Sequence, residues 1–570
     1  FQNQESEPAE SAKQALCFVR RLIVLGVQDF IVSPGSRSTP LVLALQHFPQ
    51  VRVRVILDER SAGFFALGRA DESHRPVALV CTSGTAGANY FPAVIEASER
   101  GVPLLLLTAD RPPELRDCGA GQTIDQVGLY GKFVRWSVDA LAPESASGDS
   151  FWETIAGEGL RRAVSKNPGP VHFNLPFREP FLPGVAFVEP VEEDLPAPVG
   201  SVGQAVEVDW WDLRRAGPGL IVVGAANPEN SRQWCDGLFR LSDFLGWPIL
   251  ADVLNPLRQA PGAAERVVTQ YEGLVAAGAL TESSSLAPRA LLQVGIQPTA
   301  KNLRQALAGF DGPRWQWSRL PKGLDPARKP FQWIGGSPAD LGELPEGDFA
   351  EDAYRGSWLE MEARAVRVIA KWMDGVPENF EGRIHYEISR GVPRESAVFV
   401  ANSMPVRDAE RFWFANRPQG PRVFSSRGAS GIEGLVSLVA GIAGGGVPTY
   451  AVLGDLSFLH DSGGLKVAAT LKGSLTLVVI DNGGGRIFGQ LPICSERAVF
   501  EEFFLTPQSV DLVRLCEAHG IPVQVLERGE GLKEALRESR PGARVILVQT
   551  DPAADDLRRA EWRVQFQSLL

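Results

Sequence analysis

Two glycine-bracketed turns supply oxygen atoms of the kind that hold a small, hard cation. In "VLGDLSFLHDSGGL" Asp455 directly follows an apolar run, and in "LTLVVIDNGGGRIFGQLP" Asn482 does the same. A carboxylate, an amide oxygen and a backbone carbonyl near Gly484 are ligands that Mg²⁺ accepts alongside phosphate oxygens and water. The glycines would let the backbone approach a diphosphate closely. Either turn alone also reads as an ordinary strand exit, so the signal lies in their pairing. Far upstream, "RVILDERSAGFFALGRA" sets Asp58 and Glu59 between an apolar run and small residues. By itself this pair reads as a helix start, with Asp capping free N–H groups and Glu complementing the dipole.

Residues of this kind must be carried by something rigid. Nine short apolar runs alternate with helix-length segments: "FIVSPGS", "VALVCTSG", "PLLLLTAD", "LIVVGAAN", "LLQVGIQ", "AVFVANS", "TYAVLGD", "LTLVVIDN" and "VILVQTD". Runs apolar on both faces and separated by helices indicate an α/β protein of doubly wound parallel sheets, covered on both sides. Ligands of such sheets sit outside the carboxyl ends of the strands. The polar groups just after the runs are therefore the candidates: residues 33–38, Asp58-Glu59, residues 82–85, Thr108 to Arg111, Asn402-Ser403, Gly454-Asp455 and residues 481–484. Two Pro-rich stretches, Glu189 to Gly203 and Leu320 to Asp348, divide the chain into blocks of 1–190, 200–340 and 350–570.

Composition narrows the function classes. At 570 residues the chain is expected to form about three or four domains. Its 44% hydrophobic and 22% charged residues suit a soluble globular protein. A net charge of −11 argues against a general nucleic-acid binder, while leaving room for a local basic pocket. No apolar run approaches the roughly 20 residues needed to cross a bilayer. Six scattered cysteines form no CxxC pair, which fits a reducing cytoplasm. The chain opens FQNQESEPAE without Met and shows no signal peptide, so a cytoplasmic location is expected, or an organellar one had a transit segment been removed.

The Asp455 and Asn482 motifs together resemble the Mg²⁺–diphosphate signature of thiamine diphosphate enzymes, a GDG followed by an Asn-rich turn. Leu456 stands where the second Gly of GDG would be, and one branch of that superfamily is similar to GDLS. The resemblance implies that Gly454 borders the cofactor and that Asp455, Asn482 and the Gly484 carbonyl hold Mg²⁺ or Mn²⁺. It also changes the reading of Glu59. In the superfamily a strand-end glutamate hydrogen-bonds N1′ of the cofactor's pyrimidine, favouring the imino form that takes the proton from C2. Asp58 keeps a structural role. The blocks would then be a pyrimidine-binding domain (1–190), a central α/β domain (200–340) and a diphosphate-binding domain (350–570). The cofactor of such enzymes bridges two chains, which implies a homodimer or a dimer of dimers.

Within the superfamily, "FIVSPGSRSTPL", "TADRPPELRDCGAGQTIDQ", "ANSMPVRD", "SSRGASGIEGLVS" and "GDLSFLHD" look like the 2-succinyl-5-enolpyruvyl-6-hydroxy-3-cyclohexene-1-carboxylate synthase family of menaquinone and phylloquinone synthesis. The reaction so implied is decarboxylation of 2-oxoglutarate and addition of the succinyl carbanion to isochorismate, with CO2 and no pyruvate released. Both substrates are dicarboxylates, which arginine recognises well. By resemblance Ser36, Arg37, Arg111, Gln122 and Lys301 face isochorismate, and Ser403, Arg407 and Arg427 serve the part derived from 2-oxoglutarate. Ile432 would prop the bent cofactor, while Ile487, Phe488 and Leu491 would form an apolar wall beside its thiazolium. Many members of the family that this chain resembles carry Lys-Arg where it has Lys301-Asn302, so the resemblance does not carry over the second cationic contact. No adjacent His pair occurs, and His460 reads as structural. An acetohydroxyacid synthase or 2-oxoacid decarboxylase is the nearest rival, a non-catalytic relative the next. A nicotinamide oxidoreductase lacks the G-x-G-x-x-G it would need.

Overall fold

The computed structural model describes residues 7–143, 148–179, 181, 208–319, 326–345, 353–413 and 420–569. The stretch from Glu189 to Gly203 lies outside them, as do residues 320–325 and 346–348 of the second Pro-rich stretch.

Eighteen strands are found among the described residues, six in each of three sheets. The first sheet contains β1 (Asp29–Val32), β2 (Arg52–Val55), β3 (Val77–Cys81), β4 (Leu104–Asp110), β5 (Ser137–Asp139) and β6 (Val171–Pro176). The second contains β7 (Gly219–Val223), β8 (Ile249–Ala251), β9 (Val267–Val268), β10 (Ala290–Val294), β11 (Arg314–Ser318) and β12 (Gln332–Gly335). The third contains β13 (Ala397–Val400), β14 (Arg422–Phe424), β15 (Thr449–Gly454), β16 (Ser474–Asp481), β17 (Val523–Leu526) and β18 (Gly542–Gln549).

The orders are β2-β1-β3-β4-β6-β5, β12-β11-β10-β7-β8-β9 and β14-β13-β15-β16-β18-β17. Every pairing is parallel. The first and third sheets thus share one strand order. The α/β class expected from the nine apolar runs is what is found, since each run forms a strand, and β3, β4, β6, β7, β10 and β13 are buried at every position.

In a sheet of order 2-1-3-4 the chain leaves the first and third strands in opposite directions, opening a crevice at their carboxyl ends. That crevice falls between β1 and β3 in the first sheet and between β13 and β15 in the third. In the second sheet the equivalent point lies between β7 and β10, where the backbone is tight: a Cβ on Gly224 would sit 1.9 Å from the Ile296 carbonyl oxygen.

The chain forms two compact units. One comprises Phe1–Ser201, Ser426–Gly446 and His460–Lys472, the other Val202–Ser425, Val447–Leu459 and Gly473–Leu570. In the first unit, Phe18, Phe30, Trp152 and Phe173 are among the core residues on one side of the sheet. Its helix Glu59–Ser73 crosses the wholly buried helix Leu435–Ala443 at backbone distance. A Cβ on Gly68 would lie 1.9 Å from the Leu438 carbonyl oxygen, and one on Gly441 would lie 2.1 Å from that of Phe65. Only glycine allows this approach. In the second unit, clusters built on Trp234, Trp247 and Trp317, and on Ile384, Val398 and Ile546, flank its two sheets.

Candidate functional site

In the first unit the candidates gather at the carboxyl ends of β1, β3 and β4. Gly35, after β1, packs so closely on Thr82, after β3, that a Cβ would meet the threonine Cβ at 2.2 Å. The backbone N–H of Arg37 donates to Thr82 Oγ1 at 3.3 Å. This pins the loop and turns the buried Arg37 guanidinium to Phe177, whose carbonyl accepts from Nη1 at 2.8 Å. Nη2 donates to Glu179 Oε1 at 2.8 Å, and the ring of Phe181 lies 4.6 Å from the guanidinium carbon. Arg111 donates to the same Glu179 oxygen at 3.4 Å and to the Gly121 carbonyl at 3.0 Å. Nε of both arginines is buried without a partner. Ser36 is exposed on the same loop.

Gln122 donates from Nε2 to the Ser83 carbonyl at 3.0 Å, with its backbone in the left-handed region at φ 56°. Such a conformation costs a non-glycine residue free energy and is concentrated at binding sites. Its loop is anchored by Gln126, whose buried side chain accepts from Gly84 N at 2.8 Å and donates to Asn174 at 3.0 Å. Gln126 stands in the "QTIDQ" motif, but nothing in the sequence separated an anchor from a ligand.

Asp58 and Glu59 sit in different environments. Asp58 is the N-cap of helix Glu59–Ser73, accepting from Arg60 N at 2.9 Å and from its guanidinium at 2.6 Å. The bonds to Arg60 hold its carboxyl below the usual range. Glu59, one residue on and half-buried, is raised above the usual range by burial, with the Asp58 charge adding to it. Among the described residues no other side chain donates to it.

Two further candidates belong to this unit. Arg427 lies on the loop leading to helix Leu435–Ala443, and that loop is held by Glu96 of helix Phe91–Arg100. The buried Glu96 carboxylate accepts from Gly428 N at 2.9 Å, Ala429 N at 2.6 Å and Ser430 N at 3.4 Å. Ile432 is half-buried on the same loop. Asp461 ties the next segment down, accepting from Ser437 N at 2.7 Å, with burial pushing its carboxyl up to about 6. Sequence reading missed both Glu96 and Asp461, because acids that bind backbone N–H groups across long sequence separations leave no local pattern.

In the second unit, Gly454 ends β15 and Asp455 opens the next helix, buried at 7% exposure. Its Oδ1 accepts from Leu456 N at 2.7 Å and its Oδ2 from Gly484 N at 2.8 Å, across the ends of β15 and β16. Burial pushes the carboxyl up to about 6. Asn482 donates from Nδ2 to Glu381 Oε1 at 2.7 Å, while its Oδ1 is buried without a partner. The turn after Asn482 needs glycine, since Gly484 has φ 123° and a Cβ would meet the Leu505 carbonyl at 2.1 Å. The Gly484 carbonyl accepts from Arg486 N at 2.8 Å, leaving its second lone pair. A buried carboxylate lacking a cationic partner, beside an amide oxygen lacking any, is a donor set that fits a hard cation. Among the described residues no group of three His, Cys, Asp or Glu could hold a metal, so such a cation would need these mixed ligands.

Ser403 follows β13 with φ 72° and stands at the N-terminus of helix Met404–Phe412 without a side-chain capping bond; its carbonyl accepts from the Arg407 guanidinium at 2.5 Å. Gln490 donates to the Met404 sulfur at 3.1 Å, joining this turn to the segment Arg486–Gln490 that carries Ile487 and Phe488. Both are half-buried, and Phe488 packs edge-on to Phe504 at 5.5 Å. Leu491 is exposed. Lys301 is exposed at the start of helix Lys301–Gly309. Its neighbour Asn302 donates to the buried Glu272 at 3.0 Å. His460, read as structural, is exposed.

Comparison with known proteins matches two segments of the chain to one class of enzyme. Residues 13–129 match the family described as thiamine pyrophosphate enzyme, N-terminal TPP binding domain, and residues 405–550 match its C-terminal TPP binding domain counterpart. A protein of Synechococcus sp. (strain JA-3-3Ab) named 2-succinyl-5-enolpyruvyl-6-hydroxy-3-cyclohexene-1-carboxylate synthase is 39% identical, covering 94% of this chain and 93% of the relative. Proteins of the same name from Synechococcus elongatus (39% identical, 97% and 94% covered) and Nostoc sp. (strain PCC 7120; 36% identical, 96% of each) are similar over the same span. Among solved structures, benzoylformate decarboxylase from Polynucleobacter necessarius matches with a TM-score of 0.65 over 95% of this chain and 99% of the other. At 16% identity that likeness is one of fold.

Proposed function

This chain belongs to the 2-succinyl-5-enolpyruvyl-6-hydroxy-3-cyclohexene-1-carboxylate synthase family, and from that premise we propose that it decarboxylates 2-oxoglutarate and transfers the remaining succinyl unit to isochorismate, releasing CO2 and no pyruvate. The observation that favours this substrate pair is the convergence of Arg37 and Arg111 on one carboxylate oxygen in a unit of a net-acidic chain. A carboxylate ligand would find two guanidiniums ready for charge-assisted hydrogen bonds.

Thiamine diphosphate, when bound, supplies the electron sink that lets a 2-oxoacid lose CO2. The chain's residues do the rest. Glu59, its carboxyl raised by burial, holds a proton at the pyrimidine N1′. Asp455, Asn482 and the Gly484 carbonyl would hold Mg²⁺ or Mn²⁺, and Gly454 would border the cofactor. Ile432 would support the cofactor when it is bound. Ile487, Phe488 and Leu491 exclude water from the side where charge is lost. Ser403, Arg407 and Arg427 bind the carboxylates of 2-oxoglutarate, and Ser36, Arg37, Arg111, Gln122 and Lys301 bind isochorismate. A homodimer, or a dimer of dimers, is the proposed functional assembly, working in the cytoplasm or an organelle.

The test is a donor comparison with isochorismate, thiamine diphosphate and Mg²⁺ present. Turnover of 2-oxoglutarate well above that of pyruvate is expected. Preference for pyruvate would assign the chain to the acetohydroxyacid synthase type of chemistry instead.

A further inference from the structure

Asn482 can face a cation only if its amide is turned the right way, because one side of the group donates and the other accepts. Its Nδ2 lies 2.7 Å from Glu381 Oε1, and its Oδ1 is the buried, unpartnered atom. Glu381 stands at the first turn of helix Glu381–Gly391 and is 2% exposed. Its second oxygen accepts from Arg559 Nη2 at 2.5 Å. Arg559, on helix Pro552–Gln567, also bonds Asp408 at 2.6 Å, and Asp555 of the same helix accepts from Glu381 N at 3.1 Å. Three helices therefore fix one carboxyl group in place, its Oε1 accepting from the Asn482 amide and its second oxygen from Arg559. The reversed Asn482 amide would press two oxygens together and aim an NH2 group at the cation.

We propose that Glu381, held by Arg559, is a positioning residue that fixes the Asn482 amide with its oxygen toward the cation. The role rests on the cation site proposed above. Partners behind a metal ligand commonly set affinity in this way.

The experiment exchanges donor and acceptor. Binding of Mn²⁺ to the full chain with thiamine diphosphate is followed by the paramagnetic resonance of free Mn²⁺, which needs no turnover. Asn482→Asp, ordinarily the stronger ligand for a hard cation, is expected to weaken Mn²⁺ binding about tenfold, because the new carboxylate faces Glu381. Adding Glu381→Gln restores a donor to that contact, and the double variant is expected to return to within about threefold of the wild type. Asn482→Asp binding as tightly as the wild type, or a double variant no tighter than Asn482→Asp, overturns the positioning role. Should Asn482→Asp not fold, Glu381→Met removes the acceptor while Asp408 still pairs Arg559. Unchanged Mn²⁺ affinity in that folded variant overturns the role equally. A wild type that binds no Mn²⁺ with thiamine diphosphate rejects the cation site itself, and the positioning role with it.

Discussion

Arg37 and Arg111, from loops after different strands, direct guanidinium nitrogens at a single oxygen, Oε1 of Glu179, at 2.8 and 3.4 Å. Arg37 is buried, whereas the Glu179 side chain is 65% exposed. Water screens the acid far more than the base, so a ligand carboxylate can displace it. Glu179→Ala is expected to lower the KM for isochorismate about threefold with kcat unchanged, as measured by steady-state kinetics. A raised KM would mean that Glu179 builds the pocket rather than competes for it.

Glu59→Gln keeps the size of the side chain but removes the carboxyl that the proposed contact with the pyrimidine N1′ needs. Donor decarboxylation is expected to fall by about 10²- to 10⁴-fold, with the unfolding temperature little changed. Asp58→Ala is the contrasting variant: loss of the N-cap costs about 1 kcal/mol of stability and leaves most of the activity. Full activity in Glu59→Gln would refute the mechanism.

Glu96→Ala removes the acceptor of three consecutive backbone N–H groups beside Arg427. Hydrogen bonds to a charged group contribute about 1.5–3 kcal/mol each where buried. The KM for 2-oxoglutarate is expected to rise about tenfold while that for isochorismate stays the same, with Glu96→Gln intermediate. Equal effects on both substrates would speak against a role confined to the Arg427 loop.

Gly68→Ala drives a methyl into the Leu438 carbonyl, a backbone atom that cannot move aside. A loss of about 2–4 kcal/mol in chemical denaturation is expected. The control is Gly356→Ala, in helix Ala353–Asp374, where a Cβ meets nothing within 4 Å. Alanine there is expected to raise stability by about 0.5–1 kcal/mol.

His385 is wholly buried, with neither ring nitrogen partnered, and burial pushes it down to about 4. The folded chain keeps it neutral while the unfolded chain protonates it near its ordinary value of 6.5. Its contribution is thus complete above 6.5 and is lost as pH falls toward 4, by up to about 3 kcal/mol. His385→Leu should flatten the fall in unfolding temperature over this window. An unaltered slope would reject the assignment.

The sequence revealed the centres of the sheets better than their edges. All nine apolar runs became strands because a strand covered on both faces needs apolar residues at every position. Edge strands such as β2, β5, β12 and β17 are largely exposed and carry Arg, Asp, Gln or Trp, so their composition resembles that of loops. The same contrast holds at the candidate site. Asp455 and Asn482 were visible because each ends an apolar run. Glu381 and Arg559 were not, because their meeting with Asn482 depends on three helices whose order in sequence says nothing about their packing.

The strand order shared by the first and third sheets suggests one scaffold decorated twice. After the opening strand comes a serine and then an arginine: Ser36 and Arg37 in one sheet, Ser403 and Arg407 in the other. After the next come Glu59 and Arg427, and the exits of the fourth are Asp110-Arg111 and Asp481-Asn482. Corresponding corners carry different residue types, the acid Glu59 in one sheet against the arginine Arg427 in the other, and Arg111 in one against the amide Asn482 in the other. An engineer seeking a new donor specificity could therefore rewrite the corners of one copy and leave the other copy's corners untouched.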